Sequence, residues 1–186
     1  MAFHAMTNDT TIAESACADL DRFVIMDPAA EGMLKIFLFF KGYHAVQCAR
    51  IAHYFWLLQE QDNNSKWIAS ALQSDMSDTF GVDIHPGAKW GKGITMDHGT
   101  GCVIGETSVI GDNVYLMHGV TLGATGTSDQ QDRHPKVGRG VFIAANATIL
   151  GNITIGDGAV VGASSLVLNI DVPAGYTAVG IPARLL

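Results

Sequence analysis

Large apolar residues recur at every sixth position through the second half of the chain. Ile84, Trp90 and Met96 form one run; Ile104, Ile110, Leu116 and Leu122 a second; Val137, Ile143, Ile149, Ile155, Val161 and Val167 a third. The next residue is glycine at seven of these thirteen positions: Gly91, Gly105, Gly111, Gly123, Gly138, Gly156 and Gly162. Neither the 3.6 period of a helix nor the alternation of a half-buried strand gives a spacing of six. A hexapeptide β-helix does: three short strands make one coil, the stripe residues stack inward, and glycine serves where the backbone turns without a Cβ in the way.

Two breaks in register interrupt the stripe. Met96 and Ile104 are eight residues apart, a surplus of two within Asp97-His98-Gly99-Thr100-Gly101. Leu122 and Val137 are fifteen apart, which reads as two steps and three extra residues within 126–134. A coil cannot hide surplus residues inside, so both segments point outward and are the leading site candidates.

The first half follows a helical pattern. Residues 29–79 contain no proline, and Ala45, Cys48, Ala52 and Phe55 fall on one helix face. The polar patch 59–66 reads as a loop between two helices, and residues 1–25, polar and weakly patterned, as a frayed start or a partner-dependent helix. The expected organisation is a helical segment over 1–80 and a β-helix over 81–186.

Composition narrows the partners. At 186 residues the chain holds one sizeable core with a small appendage, and a formal net charge of −7 argues against nucleic acid or an anionic membrane as main partner. Cys17, Cys48 and Cys102 lack CxxC spacing and read as reduced, small core residues. The first residues lack the pattern of a secretory signal, and the most apolar run, 36–40, is too short to span a bilayer; a cytoplasmic protein is expected.

Ordered landmarks over residues 27 to 184 resemble the serine O-acetyltransferase family, in a short form. They are Asp27-Pro28-Ala29, Lys41-Gly42-Tyr43-His44-Ala45, Asp83-Ile84-His85-Pro86, the segment 97–101, Leu122-Gly123-Ala124-Thr125-Gly126, Asp132-Arg133-His134-Pro135-Lys136 and Gly180-Ile181-Pro182-Ala183-Arg184. The resemblance implies a mostly β fold, a left-handed parallel β-helix behind an N-terminal α-helical segment. The general rule for parallel crossovers gives the opposite hand.

Acetylating a serine hydroxyl needs a base, because an alcohol is a poor nucleophile toward a thioester. The resemblance gives that role to His98. Asp83, fifteen residues earlier, is about one coil back and can bond the second ring nitrogen, fixing the tautomer and stabilising the imidazolium. A zwitterionic acceptor needs carboxylates for its ammonium and donors for its carboxylate. The resemblance assigns Asp27 and Asp97 to the first and Arg133 and His134 to the second. By itself, Asp27 before Pro28 reads as a helix N-cap. Acetyl-CoA contacts carry over to Ala124, Thr125, Ala145 and Ala163, while Lys136 and Arg139, which could meet CoA phosphates, read as solvated basic residues. No metal is expected.

Other readings stay open. The acceptor could be homoserine, a sugar or an antibiotic. His85, His98 and His118 could form the three-histidine zinc site of a β-helix hydratase, or the β-helix could be a non-catalytic scaffold. His44 and His53 read as packing or capping residues, and Cys102 as a buried thiol. The resemblance further implies a homotrimer with sites between neighbours. With about 26 residues before Asp27 and none after Leu186, a hexamer and a stable cysteine synthase complex are not expected.

Overall fold

The computed structural model describes residues 1–126 and 131–186. Helices come first: α1 (Ala2–Asn8), α2 (Thr10–Met26), α3 (Met33–Phe39), α4 (Lys41–Leu57) and α5 (Asn63–Phe80). The start of the chain is not frayed. Ile12, Ala16 and Phe23 recur at helical spacing and are buried, and Asp9 caps α2 by accepting the Thr11 amide at 3.0 Å. The expected loop at 59–66 shortens for a similar reason. Asp62 accepts the Asn64 amide at 3.0 Å, so α5 starts at Asn63 and its polar first turn belongs to the helix. Gly81, at φ +68°, ends α5 in the left-handed conformation that glycine adopts without a Cβ penalty.

The strands are two to four residues long. A first sheet stacks β1 (Asp83–Ile84), β4 (Val103–Ile104), β7 (Thr121–Gly123), β10 (Thr148–Leu150) and β13 (Leu166–Leu168). A second stacks β2 (Lys89–Trp90), β5 (Val109–Ile110), β8 (Lys136–Val137) and β11 (Thr154–Ile155). The third stacks β3 (Thr95–Met96), β6 (Tyr115–Leu116), β9 (Phe142–Ile143), β12 (Val160–Val161) and β14 (Thr177–Gly180), closed by the antiparallel β15 (Ala183–Leu185). All other pairings between strands are parallel, so the chain is a β-solenoid with three faces and three corners.

Stripe residues lie directly over one another. Ile84 pairs with Ile104, Ile104 with Leu122, Leu122 with Ile149 and Ile149 with Val167, at separations of 20, 18, 27 and 18 residues. The surplus of two at the first break is as read. The second break differs: β7 leads directly to β8, one corner on, so fifteen residues replace six and nine are extruded rather than three. Spacing alone could not separate one long step from two ordinary ones. Part of that segment, 127–130, lies outside the described residues.

Twelve stripe residues are buried and Trp90 is half-buried against the helices. The seven following glycines do not adopt positive φ; what they permit is close approach of the next coil. Most left-handed corner residues come three positions after the stripe, among them Asn113 (φ 59°) and Asn146 (φ 60°), a residue type that tolerates this region.

Helices and solenoid share one apolar core, from Ala5 and Ile12 through Ala45 and Ala52 to the stripe. One buried polar cluster pins them together. Asp19 of α2, fully buried, accepts from Gln47 (2.8 Å), from both terminal nitrogens of Arg50, and from the Ile94 amide of the first coil (2.7 Å). Arg50 also donates to the Gly91 carbonyl at 2.6 Å. Among the described residues no helix is long and apolar enough to cross a membrane.

Removing one partner of a buried ion pair leaves the other uncompensated, at a cost of about 3–5 kcal/mol. Asp19→Ala should therefore lower unfolding free energy by about that amount in urea titration. A loss under about 1 kcal/mol, the range of an exposed pair, would show that the cluster is not an anchor.

Candidate active site

The corner that joins the third sheet to the first carries the first break. His98 stands there at φ 58°, with its side chain 73 % exposed. Beside it are Asp97, only 17 % exposed, and a cavity of about 390 Å³ lined by Asp27, Phe39, Phe40, Lys41, Asp97 and His98. Asp27 reaches this place because α2 ends on it. It is the C-cap of α2, not the N-cap of the next helix, and its Oδ1 accepts the Ala29 amide at 2.8 Å. The lining of Lys41 follows from the approach of α4 to the first coil: a Cβ on Gly42 would stand 1.9 Å from the Met96 carbonyl oxygen, so only glycine fits.

Asp83 lies at the lower edge of this corner, its amide donating to the Cys102 carbonyl at 2.8 Å. Its carboxylate does not bond His98 in this structure. It accepts from Gln73 of α5 at 2.8 Å, while the closest carboxylate to His98 Nε2 is Asp97, at 3.6 Å, too long for a hydrogen bond. Above His98 the ring of His118 meets it edge-on with centroids 5.9 Å apart. The corner column continues upward to Ala145 and Ala163: the Asn146 amide donates to the His118 carbonyl, and the Ser164 amide to that of Ala145.

Arg133 and His134 lie elsewhere, on the corner joining the first sheet to the second, with Ala124 and Thr125 on the same extruded segment. His134 is buried, and its Nδ1 accepts from the Thr107 amide at 3.2 Å, so the ring is neutral and its proton sits on Nε2. The ring packs on Gly105, where a Cβ would come within 2.0 Å of it. Arg133 is near Glu106, at 3.9 Å, and lines a cavity of about 350 Å³ with Thr125, Asn152 and Asp171. One chain thus brings Asp27, Asp97 and His98 together and keeps Arg133 and His134 apart from them.

Other candidates settle simply. His85 is on the corner of Arg133, away from His98 and His118, and among the described residues no cluster of three His, Cys, Asp or Glu could hold a metal ion. Lys136 is occupied by Asp132 (2.5 Å) and two carbonyls, and Arg139 by Asp157 (3.1 Å). His44 and His53 bond the Phe37 and Pro86 carbonyls. Cys102 is a buried thiol, pushed up to about 11 by desolvation, whereas Cys17 is exposed on α2 and not a core residue. Sequence reasoning missed Tyr115 and Gln73. Tyr115 pairs with Thr95 one coil below, and its phenol is raised above its usual value, chiefly by burial and then by Asp97 and Asp27. Its register, twenty residues after Thr95, was the available signal.

The three-faced solenoid is the hexapeptide-repeat architecture, and residues 134–169 match the family model described as bacterial transferase hexapeptide (six repeats). Residues 1–48 match the model for the N-terminal part of serine acetyltransferase. Serine acetyltransferase 2 of Arabidopsis thaliana is 50% identical over 184 residues, 99% of this chain and 55% of the relative. The Neisseria gonorrhoeae serine acetyltransferase in complex with serine superposes with a TM-score of 0.91 at 48% identity, over 97% of this chain and 71% of that one. The Brucella abortus strain S19 enzyme in complex with coenzyme A gives 0.92 at 42%, over 98% and 70%. The chain belongs to the serine acetyltransferase family. It spans about half the length of the curated plant relatives it matches.

Three histidines carry a consequence for stability. His53, His85 and His134 are held below their ordinary 6.5, in each case chiefly by burial. A depressed imidazole leaves the unfolded chain with the greater proton affinity, so stability is full above the unfolded value and falls as pH drops below it. The urea midpoint should therefore decrease from pH 7.5 toward pH 5.5, and His53→Gln should flatten that slope. A midpoint constant over this range would contradict the assignment.

Proposed function

We propose that the protein transfers the acetyl group of acetyl-CoA to the hydroxyl of L-serine, giving O-acetyl-L-serine and CoA. The observation that carries this reading is the cavity where Asp27, Asp97 and His98 converge: two carboxylates for an ammonium, next to an exposed imidazole. The serine complex and the coenzyme A complex of relatives support both substrates.

In this reading, His98 takes the proton of the serine hydroxyl as its oxygen attacks the thioester carbonyl. The tetrahedral intermediate expels CoA thiolate, and the imidazolium returns the proton to sulfur. Asp83 offers its other carboxylate oxygen to the second ring nitrogen and stabilises that imidazolium. Asp27 and Asp97 hold the ammonium. Arg133, with its two parallel donors, and the Nε2–H of His134 hold the carboxylate. Ala124, Thr125, Ala145 and Ala163 flank the CoA arm.

The two halves lie on different corners, which supports a homotrimer in which the His98 corner of one chain meets the Arg133 corner of its neighbour. A mixed assembly tests mechanism and assembly together. His98→Ala alone should lower kcat roughly 10²–10⁴-fold with little change in CoA affinity. Arg133→Ala alone should raise the serine KM. Co-expressed and assayed at serine below the raised KM, the two chains should show more activity than either has alone, because one interface combines an intact His98 with an intact Arg133. Thiol release is followed with L-serine, D-serine, L-homoserine, L-threonine and chloramphenicol. Preference for any acceptor other than L-serine, or no recovery on mixing, would refute the corresponding half of the proposal.

A further inference from the structure

Gln73 projects from α5 onto the edge of the first coil, where its side-chain amide donates to Asp83 Oδ1 at 2.8 Å. Among the described residues it is the only side chain that hydrogen-bonds this carboxylate. The surroundings are fixed by backbone bonds. Gly101 donates to the Gly81 carbonyl at 2.7 Å, and Asp83 to Cys102, so the end of α5 and β1 are tied to the segment that follows His98.

We propose that Gln73 is a positioning residue for the reaction, acting through Asp83 on His98; this rests on the reading of His98 as general base with Asp83 behind it. Gln73 engages one carboxylate oxygen, which sets the plane of the group and leaves Oδ2 for the imidazole N–H. The choice of an amide matters. A lysine or arginine at this place would fix the carboxylate equally well but neutralise the charge that stabilises the imidazolium. An amide supplies the direction and leaves the charge in place. A fixed partner is worth more than a mobile one, because its reorganisation is not left to the moment of proton transfer.

Gln73 is half-buried, so near-isosteric variants keep the packing of α5. In Gln73→Met, which removes the donor, kcat should fall about tenfold, the worth of one hydrogen bond of this kind. The acidic limb of the kcat/KM profile for serine should move to lower pH, as the imidazolium loses an oriented carboxylate. CoA affinity and melting temperature should stay as in the parent. Gln73→Glu, which keeps the shape, should show the same loss at neutral pH. In an Asp83→Asn background, Gln73→Met should cost little more. An unchanged acidic limb, or an equal loss in the Asp83→Asn background, overturns the proposal. Near-normal turnover of His98→Ala or Asp83→Asn is a different failure: it removes the reading beneath, whatever Gln73 does.

Discussion

Everything in this molecule answers to the stacking of one inward column of side chains on another. A coil of eighteen residues places Ile149 under Val167 and Ile143 under Val161, and parallel hydrogen bonds lock each pair in register. The interior has no room for a nineteenth residue. Surplus residues therefore leave at the corners, two of them beside Met96 and nine after Leu122. The same rule that makes the solenoid uniform concentrates its chemistry at two corners, because only there can the chain depart from the repeat without losing a stripe position.

The helices supply what the repeat cannot. Asp27 is not part of any coil, and its place depends on where α2 stops and how α2 is held. The buried Asp19 ties that helix to Arg50 of α4 and to the Ile94 amide, two residues before Met96. Gly42 lets α4 touch the Met96 carbonyl. Both contacts bear on the segment that leads into Asp97 and His98, so the anchoring of the helices and the placing of the carboxylates are one structural fact.

The repeat was legible because six-residue spacing has no other origin, and the stripe named twelve buried positions with Trp90 half-buried. The helix boundaries were less so. A cap such as Asp62 looks like loop composition until its bond to the Asn64 amide is known. The size of the second break was hidden by arithmetic, since fifteen residues divide as well into two steps as into one. Gln73 was illegible for a different reason: it is one of several polar residues on an exposed stretch of α5, and only the distance to Asp83 singles it out. Spacing shows which residues leave the repeat, but not which polar groups meet across elements.

Electrostatics gives a reason for dividing the site in the way proposed. Were Asp97 and Arg133 on one corner of one chain, they would pair with each other, and a zwitterionic ligand would have to break that pair to enter. Kept apart, Asp97 lines the same cavity as Asp27, where the proposed ligand's ammonium would find two carboxylates. Arg133 has only Glu106 near it, at 3.9 Å and partly exposed, a weak contact that a ligand carboxylate displaces at little cost. Neither half carries a strong opposing ion pair of its own in this chain. With a chain of net charge −7, no general field does this work, and the attraction has to be built from these few groups and from the neutral, donor-presenting ring of His134. In the trimer proposed above, a ligand that carries both charges is drawn to the place where two corners meet, and one that carries neither gains nothing from it.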